Sequence, residues 1–133
     1  MEKKSTVLVW ILRLLAAVIM LQTLYFKFTA SEESVYIFTT LHMEPWGRIG
    51  IGVMELLASV LILYHRTTAW GALLGMGLMA GALFSHFTQL GIEVMGDGGL
   101  LFIYACVVFM ACLLLVLLYR KRPGTPLFFL LGK

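Results

Sequence analysis

Glu55 and His86 are the residues of this chain best suited by type to chemistry. A carboxyl group and an imidazole can pass protons, and both stand inside long apolar runs. There an ionisable side chain costs several kcal/mol unless it is paired or hydrated. Lys27, Gln22 and Asp97 join them as polar groups set in or at the edge of apolar sequence. A carboxylate such as Glu55 needs a cation or hydrogen-bond donors to stay charged in hydrocarbon, and His86 and Lys27 are the candidates to serve it. His86, with an unperturbed pKa nearest neutrality, is the candidate proton relay, or donor to a carbonyl group. Lys27 and Asp97 would orient a polar head group, and Gln22 would add an amide. Each also has a structural use: Glu55 as a paired, fold-specifying charge, His86 and Gln22 as hydrogen-bonded helix residues, Lys27 as an interfacial anchor. Asp97, directly before Gly98-Gly99, suits the N-cap of a helix.

The elements that carry these residues follow from composition. The chain has 133 residues, 61% of them hydrophobic and 13% charged, with a mean hydropathy of +0.96. That is a membrane composition, and the length is that of one domain, 1–133. The apolar runs are continuous rather than alternating, which excludes a barrel and predicts an all-α membrane protein. Four spans are expected, at about residues 7–28, 47–64, 69–90 and 98–119, making a four-transmembrane-helix bundle. The first run is longer than a signal-peptide core and Arg13 interrupts it, so it is expected to be a retained helix. Between spans one and two, residues 31–44 predict an interfacial segment. Ser31 would cap a short helix there, with Val35, Phe38 and Leu41 turned to lipid or bundle. Pro45 fits the first turn of span two and Trp46 an aromatic belt. The segment 127–131 is expected along the cytoplasmic interface.

Orientation comes from the loops. Lys3, Lys4, Arg66, Arg120, Lys121, Arg122 and Lys133 fall on one side. Glu32, Glu33, Glu44, Glu93 and Asp97 fall on the other, against Lys27 and Arg48. The positive-inside rule then predicts both termini cytoplasmic. Arg13 is expected to snorkel to that same side along its apolar stem. With this topology Glu55 lies about 10 Å and His86 about 6 Å below the outer surface at ~1.5 Å per residue. Gln22, Lys27, Glu55, His86 and Asp97 thus form one polar layer in the outer half of the bundle, drawn from every span. In span three, Gly71, Gly75 and Ala82 share one face, while Gly77, Gly81, Ser85 and Thr88 share another. Two such faces predict a central helix packed on both sides.

Other chemistries are excluded or weakened. The net charge of +3 is spread over segment ends, so it carries no nucleic-acid signal. Cys106 and Cys112 are six residues apart in span four, with no Cys-x-x-Cys, which predicts buried packing residues and no self-contained redox pair. Metal ligands are too few and too dispersed to predict a metal site.

The order and spacing of these residues resemble the DoxX family of small four-helix membrane proteins. The resemblance rests on four pieces. Arg13 is followed by Lys27 in span one, and Glu55 stands in the Gly-Val-Met-Glu-Leu-Leu run. His86 closes span three after Ala82, and Gly96-Asp97-Gly98-Gly99-Leu100-Leu101-Phe102 opens span four. These reach from about residue 10 to 120. The chain departs from the family at Leu24, where a small residue is common three positions before the lysine, which leaves open how closely span one approaches its neighbours there. The family includes the small subunit of an archaeal thiosulfate:quinone oxidoreductase and proteins linked to oxidant resistance. The resemblance therefore implies a membrane redox association, with quinone as the ligand. It implies a prokaryotic cytoplasmic (inner) membrane location, with a redox partner subunit or a homo-oligomer as company in the lipid bilayer. On this reading Glu55 and His86 are the proton-handling pair, and Gln22, Lys27 and Asp97 bind the ligand. The sequence holds no flavin, haem or dithiol motif, so electrons would come from a partner. The contrasting expectation is a non-enzymatic membrane subunit or scaffold in which the polar layer fixes helix register. Transport of a small solute or proton is a third, for which four short spans enclose little space.

Overall fold

Among the described residues, four long apolar helices and one short amphipathic helix make up most of the chain. The computed structural model describes residues 3–120, 124–126 and 130, with side chains from Thr6 onward. Among the described residues there is no strand. The helices are α1 (Lys3–Phe28), α2 (Glu32–Thr40), α3 (Trp46–Leu63), α4 (Thr68–Ser85) and α5 (Leu100–Leu118), and a π-helical turn (His86–Leu90) extends α4. Residues 6–28, 46–63, 68–90 and 100–118 are each long and apolar enough to cross a bilayer. Together they make a four-helix membrane bundle, within a residue or two of the expected boundaries. The start of α1 and the end of α5 lie at the same end of the bundle, where Val9 and Tyr119 both join the core. The expected interfacial stretch 127–131 falls outside the described residues except for Leu130, which is exposed.

Within the bundle α1 packs on α3 and α5, and α4 packs on α3 and α5. The four spans thus form a ring in which α4 is one of four equal members, not the central helix that its two glycine faces suggested. Only one of those faces is packed. A Cβ at Gly71 would come 2.6 Å from the Ile62 nitrogen and 2.8 Å from the Ala58 oxygen, so α3 and α4 meet there backbone to backbone. A Cβ at Gly77 or Gly81 would meet nothing within 4 Å. The packed core lies in the half of the bundle away from α2, around Ala16, Met20, Ala58, Ile62, Ala72, Val108 and Leu115. Lipid tails are as apolar as these side chains, so close packing and interhelical hydrogen bonds hold the helices together. Cys112 is buried against Gly75, and Cys106 is half-buried; both are free thiols.

Antiparallel α1 and α3 are clamped at both ends by arginines. Arg13 on α1 donates from Nε to the Ile62 carbonyl (2.9 Å) and from a guanidinium NH2 to that of Leu63 (2.6 Å). These carbonyls end α3, where they lack an intrahelical partner and carry the negative end of the helix dipole. Arg48 on α3 in turn donates to the carbonyl of Lys27, in the last turn of α1, and to Glu44 at 2.8 Å. Arg13 is therefore not a snorkelling residue. It is buried, with its guanidinium 3.9 Å from the centre of the Trp10 ring. The turn into α4 finishes the job: the Thr68 hydroxyl donates to Ile62 and Tyr64, and that of Thr67 to Leu61.

At the other end Ser31 caps α2 by accepting from the Ser34 amide, as its position predicted. Ser34 and Phe38 are buried, with Ile37 and Leu41 beside them, so α2 turns an i, i+3, i+4, i+7 face to the bundle. Pro45 sits one residue ahead of α3 rather than in its first turn, and Trp46 is exposed in the belt position.

Candidate functional site

The half of the bundle under α2 is not filled. A cavity of about 650 Å³ opens there, lined from all five helices, a size common for small-molecule sites. Gln22, Lys27, Glu55 and His86 all face it. Asp97 does not.

Glu55, midway along α3, keeps only 2% of its surface exposed. Lys27, in the last turn of α1, places its Nζ 2.9 Å from Glu55 Oε1. The two opposite charges pair at close range, and Lys27 is the partner that the structure gives Oε1. Lys27 reaches this spot because α1 and α3 stay close. Leu24 is a large residue one turn before Lys27, and the room for the approach comes from Gly52 on α3. A Cβ at Gly52 would lie 3.3 Å from Leu24 Cδ1 and 2.7 Å from Phe28 Cε1.

His86 opens the π turn and is 5% exposed. Its Nδ1 is 2.8 Å from the Gly91 carbonyl, and its ring lies edge-on to Phe102 with centroids 5.6 Å apart. A carbonyl only accepts, so Nδ1 carries the hydrogen. In the neutral ring Nε2 is then an acceptor, and it becomes a donor only when the ring is protonated. The π turn sets this geometry: the wider turn ends at Gly91, whose φ of 77° and ψ of 173° suit glycine.

Asp97 organises the loop before α5. Its Oδ1 accepts from the amides of Val94 (3.0 Å) and Gly99 (2.8 Å), and its Oδ2 from that of Leu101 (3.2 Å). Gly98 and Gly99, both at positive φ, turn the chain so that these amides converge. Burial works to raise the Asp97 pKa, but the three amides and the nearby His86 outweigh it and hold the carboxyl below its ordinary value. Gly99 is the N-cap residue of α5, and Asp97 does the capping from two positions further back.

Among the polar residues of the cavity wall outside the set that sequence position singled out, two stand out by their chemistry. Tyr104 comes from α5, and the one phenol in that apolar run, three residues past Leu101, was the available signal. Glu33 comes from α2 and looks from sequence like an ordinary loop charge. Burial, and then repulsion from Asp97, lift its carboxyl above the usual range. Among the described residues no three His, Cys, Asp or Glu side chains cluster to hold a metal ion.

The DoxX family model matches residues 8–88, more than half of the chain. The chain belongs to the DoxX family. It is an integral membrane protein of that family, and the matched region contains Arg13, Lys27, Glu55 and His86 but stops short of Asp97. The part that matches DoxX thus supplies both the α1–α3 clamp at Arg13 and the charged wall of the cavity. No curated protein and no solved structure is matched.

Proposed function

We propose that this DoxX protein binds the polar head of a quinone-like amphiphile in the cavity under α2, as the membrane component of a redox system. The observation that carries the reading is an ion pair of buried Glu55 with half-buried Lys27, and a buried imidazole, in the wall of one largely apolar cavity. Glu55, paired with Lys27 in the cavity wall, keeps acceptor capacity that a ligand hydroxyl can use. A quinone would bring chemistry in which electrons and protons are taken up together. Lys27 holds the head group by charge, Gln22 and Tyr104 supply further hydrogen bonds, and Glu55 and His86 hold or release protons. With Nδ1 committed to Gly91, His86 accepts at Nε2 from a hydroxyl when neutral and donates to a carbonyl when protonated. Electrons come from a partner protein. The charge bias of the loops supports cytoplasmic termini, with the cavity in the outer half of a prokaryotic cytoplasmic membrane.

A chainless dimethoxy-methyl-benzoquinone, titrated against the protein in lipid nanodiscs, tests this. Saturable binding is expected, weakened about tenfold or more by Glu55→Gln or His86→Ala, since a hydrogen bond to a charged group contributes ~1.5–3 kcal/mol. Absence of saturable binding to the unmodified protein sinks the reading. The second reading, a structural subunit, draws on the fact that the same Lys27–Glu55 pair ties α1 to α3. It predicts loss of thermal stability in Glu55→Gln with no quinone binding at all.

A further inference from the structure

We infer that the cavity takes an amphiphile with a long apolar chain, and takes it sideways from the bilayer through a gap between α3 and α4 floored by Gly77 and Gly81. The inference rests on the head-group site proposed above and adds the route and the chain.

The flank of α4 that faces α3 is located by Gly71, where a Cβ would collide with the α3 backbone. At about 100° per residue, Leu78 and Ser85 lie within ~40° of that direction. Gly81 is about 80° and Gly77 about 120° round, on the same side. All four line the cavity. The flank that is in backbone contact at Gly71 is empty at Gly77 and Gly81, where a Cβ meets nothing within 4 Å. So α3 and α4 touch backbone to backbone near their shared turn, and no side chain of α3 closes over the flank of α4 at Gly77 or Gly81.

The lining surface also turns a corner. Gly75, two residues before Gly77, faces Cys112 in the core. Gly77 is therefore about 200° round from a core position and sits on the side of α4 that lipid covers. A cavity wall that runs from Ala82 and Ser85 past Gly81 to Gly77 leads from the bundle interior to the acyl chains. Packing does not call for glycine at either position, and glycine costs a helix about 1 kcal/mol relative to alanine. Open space is what these two residues supply.

Polarity along the cavity matches such an occupant. His86 and Lys27 lie toward the α2 end, while Glu55, midway along α3, stands deeper and is reached by Lys27 at 2.9 Å. Gly81 is about 7–8 Å and Gly77 about 13–14 Å closer to the middle of the membrane than His86, at ~1.5 Å per residue. A head group at the charged end leaves its chain over the glycines. The other exposed part of the wall, at Gln22 and Phe26 of α1, carries side chains where α4 has bare backbone.

The test compares the chainless benzoquinone with the same head group carrying a decyl chain, in nanodiscs, for the unmodified protein, Gly81→Leu and Gly77→Leu. Because the added side chains meet nothing in the fold, melting temperatures are expected to hold. Affinity for the decyl compound is expected to fall about tenfold in Gly81→Leu while the chainless compound binds within about twofold of the unmodified protein. Equal losses for both compounds, or no loss for either, overturn the gap and leave the head-group site standing. Binding of neither compound to the unmodified protein overturns both. A dimer in the unmodified protein that Gly81→Leu converts to a monomer overturns the gap as well, because the glycines would then seat a second copy.

Discussion

Lys27 and Glu55 are each costly alone and inexpensive together, and this decides how substitutions there behave. Both side chains are withdrawn from water, and each is the nearest opposite charge of the other. Removing one partner leaves an uncompensated charge in a low-dielectric setting, a loss of about 3–5 kcal/mol in comparable buried pairs, whereas replacing both with neutral groups is often close to neutral. Lys27→Met and Glu55→Gln are thus each expected to destabilise the bundle strongly. The double variant is expected to recover most of the loss, read as the midpoint of unfolding in detergent. A double variant no more stable than the singles would mean that the pair is not the main partner of either charge. The cycle also separates roles: restored stability without restored quinone binding assigns the pair to the ligand rather than to the fold. Arg13 and Arg48 belong to the other category. Their partners are helix-end carbonyls and, for Arg48, also the Glu44 carboxylate, and neither arginine lines the cavity.

At the scale of elements, α2 covers the cavity, and its Glu33 is opposed by Asp97 of the 91–99 loop. Asp97 is stabilised by amides and sits below its ordinary pKa, while Glu33 is raised, first by burial and then by Asp97. The signs differ accordingly. A depressed carboxyl contributes stability above its unfolded pKa, and that contribution is lost as pH falls through its folded value. A raised one costs stability above its unfolded pKa, and the cost disappears as pH falls through its folded value. Glu33→Gln is therefore expected to raise the melting temperature at pH ~7, with the gain vanishing as the pH drops through the carboxylate range near ~4. Asp97→Asn is expected to lower it at pH ~7, with the deficit narrowing in acid. An unchanged gap across that range would remove the electrostatic account of the closure. These elements also mark where the sequence stops being informative. The spans are legible because a run of about 20 apolar residues has few other uses, and Glu55 and His86 are legible because hydrocarbon makes them conspicuous. Glu33 is not, because an acidic residue in a polar loop looks solvated until α2 folds over the bundle. Nor is the reciprocal use of Arg13 and Arg48, since the rotation of each helix about its axis decides which carbonyls an arginine can reach. Gly77 and Gly81 have the composition of a packing face, and only the folded bundle shows that nothing packs on them and that they line the cavity.

For the whole molecule, the asymmetry of the bundle turns orientation into a functional question. The tightly packed half ends at the 64–67 turn, with Arg66, and at Arg120. The half that holds the cavity ends at α2 and the 91–99 loop, with Glu32, Glu33, Glu93 and Asp97. Lysine and arginine are retained on the cytoplasmic side during insertion, whereas acidic residues contribute little to orientation, so the basic turn end is expected inside and the cavity near the outer face. Single cysteines test this in a background where Cys106 and Cys112 are alanine, both of them small residues in the bundle. With Tyr36→Cys on α2 and His65→Cys in the turn, a membrane-impermeant maleimide applied to intact cells is expected to label position 36 at once. Position 65 should react only after the membrane is opened. Both native residues are exposed, so a failure to label reflects sidedness rather than burial. The reverse pattern would place the cavity on the cytoplasmic side. The consequence is chemical as well as topological. A head group held by Lys27, Glu55 and His86 exchanges its protons with whichever compartment lies beyond α2, and a partner that passes electrons to it must approach from that same side.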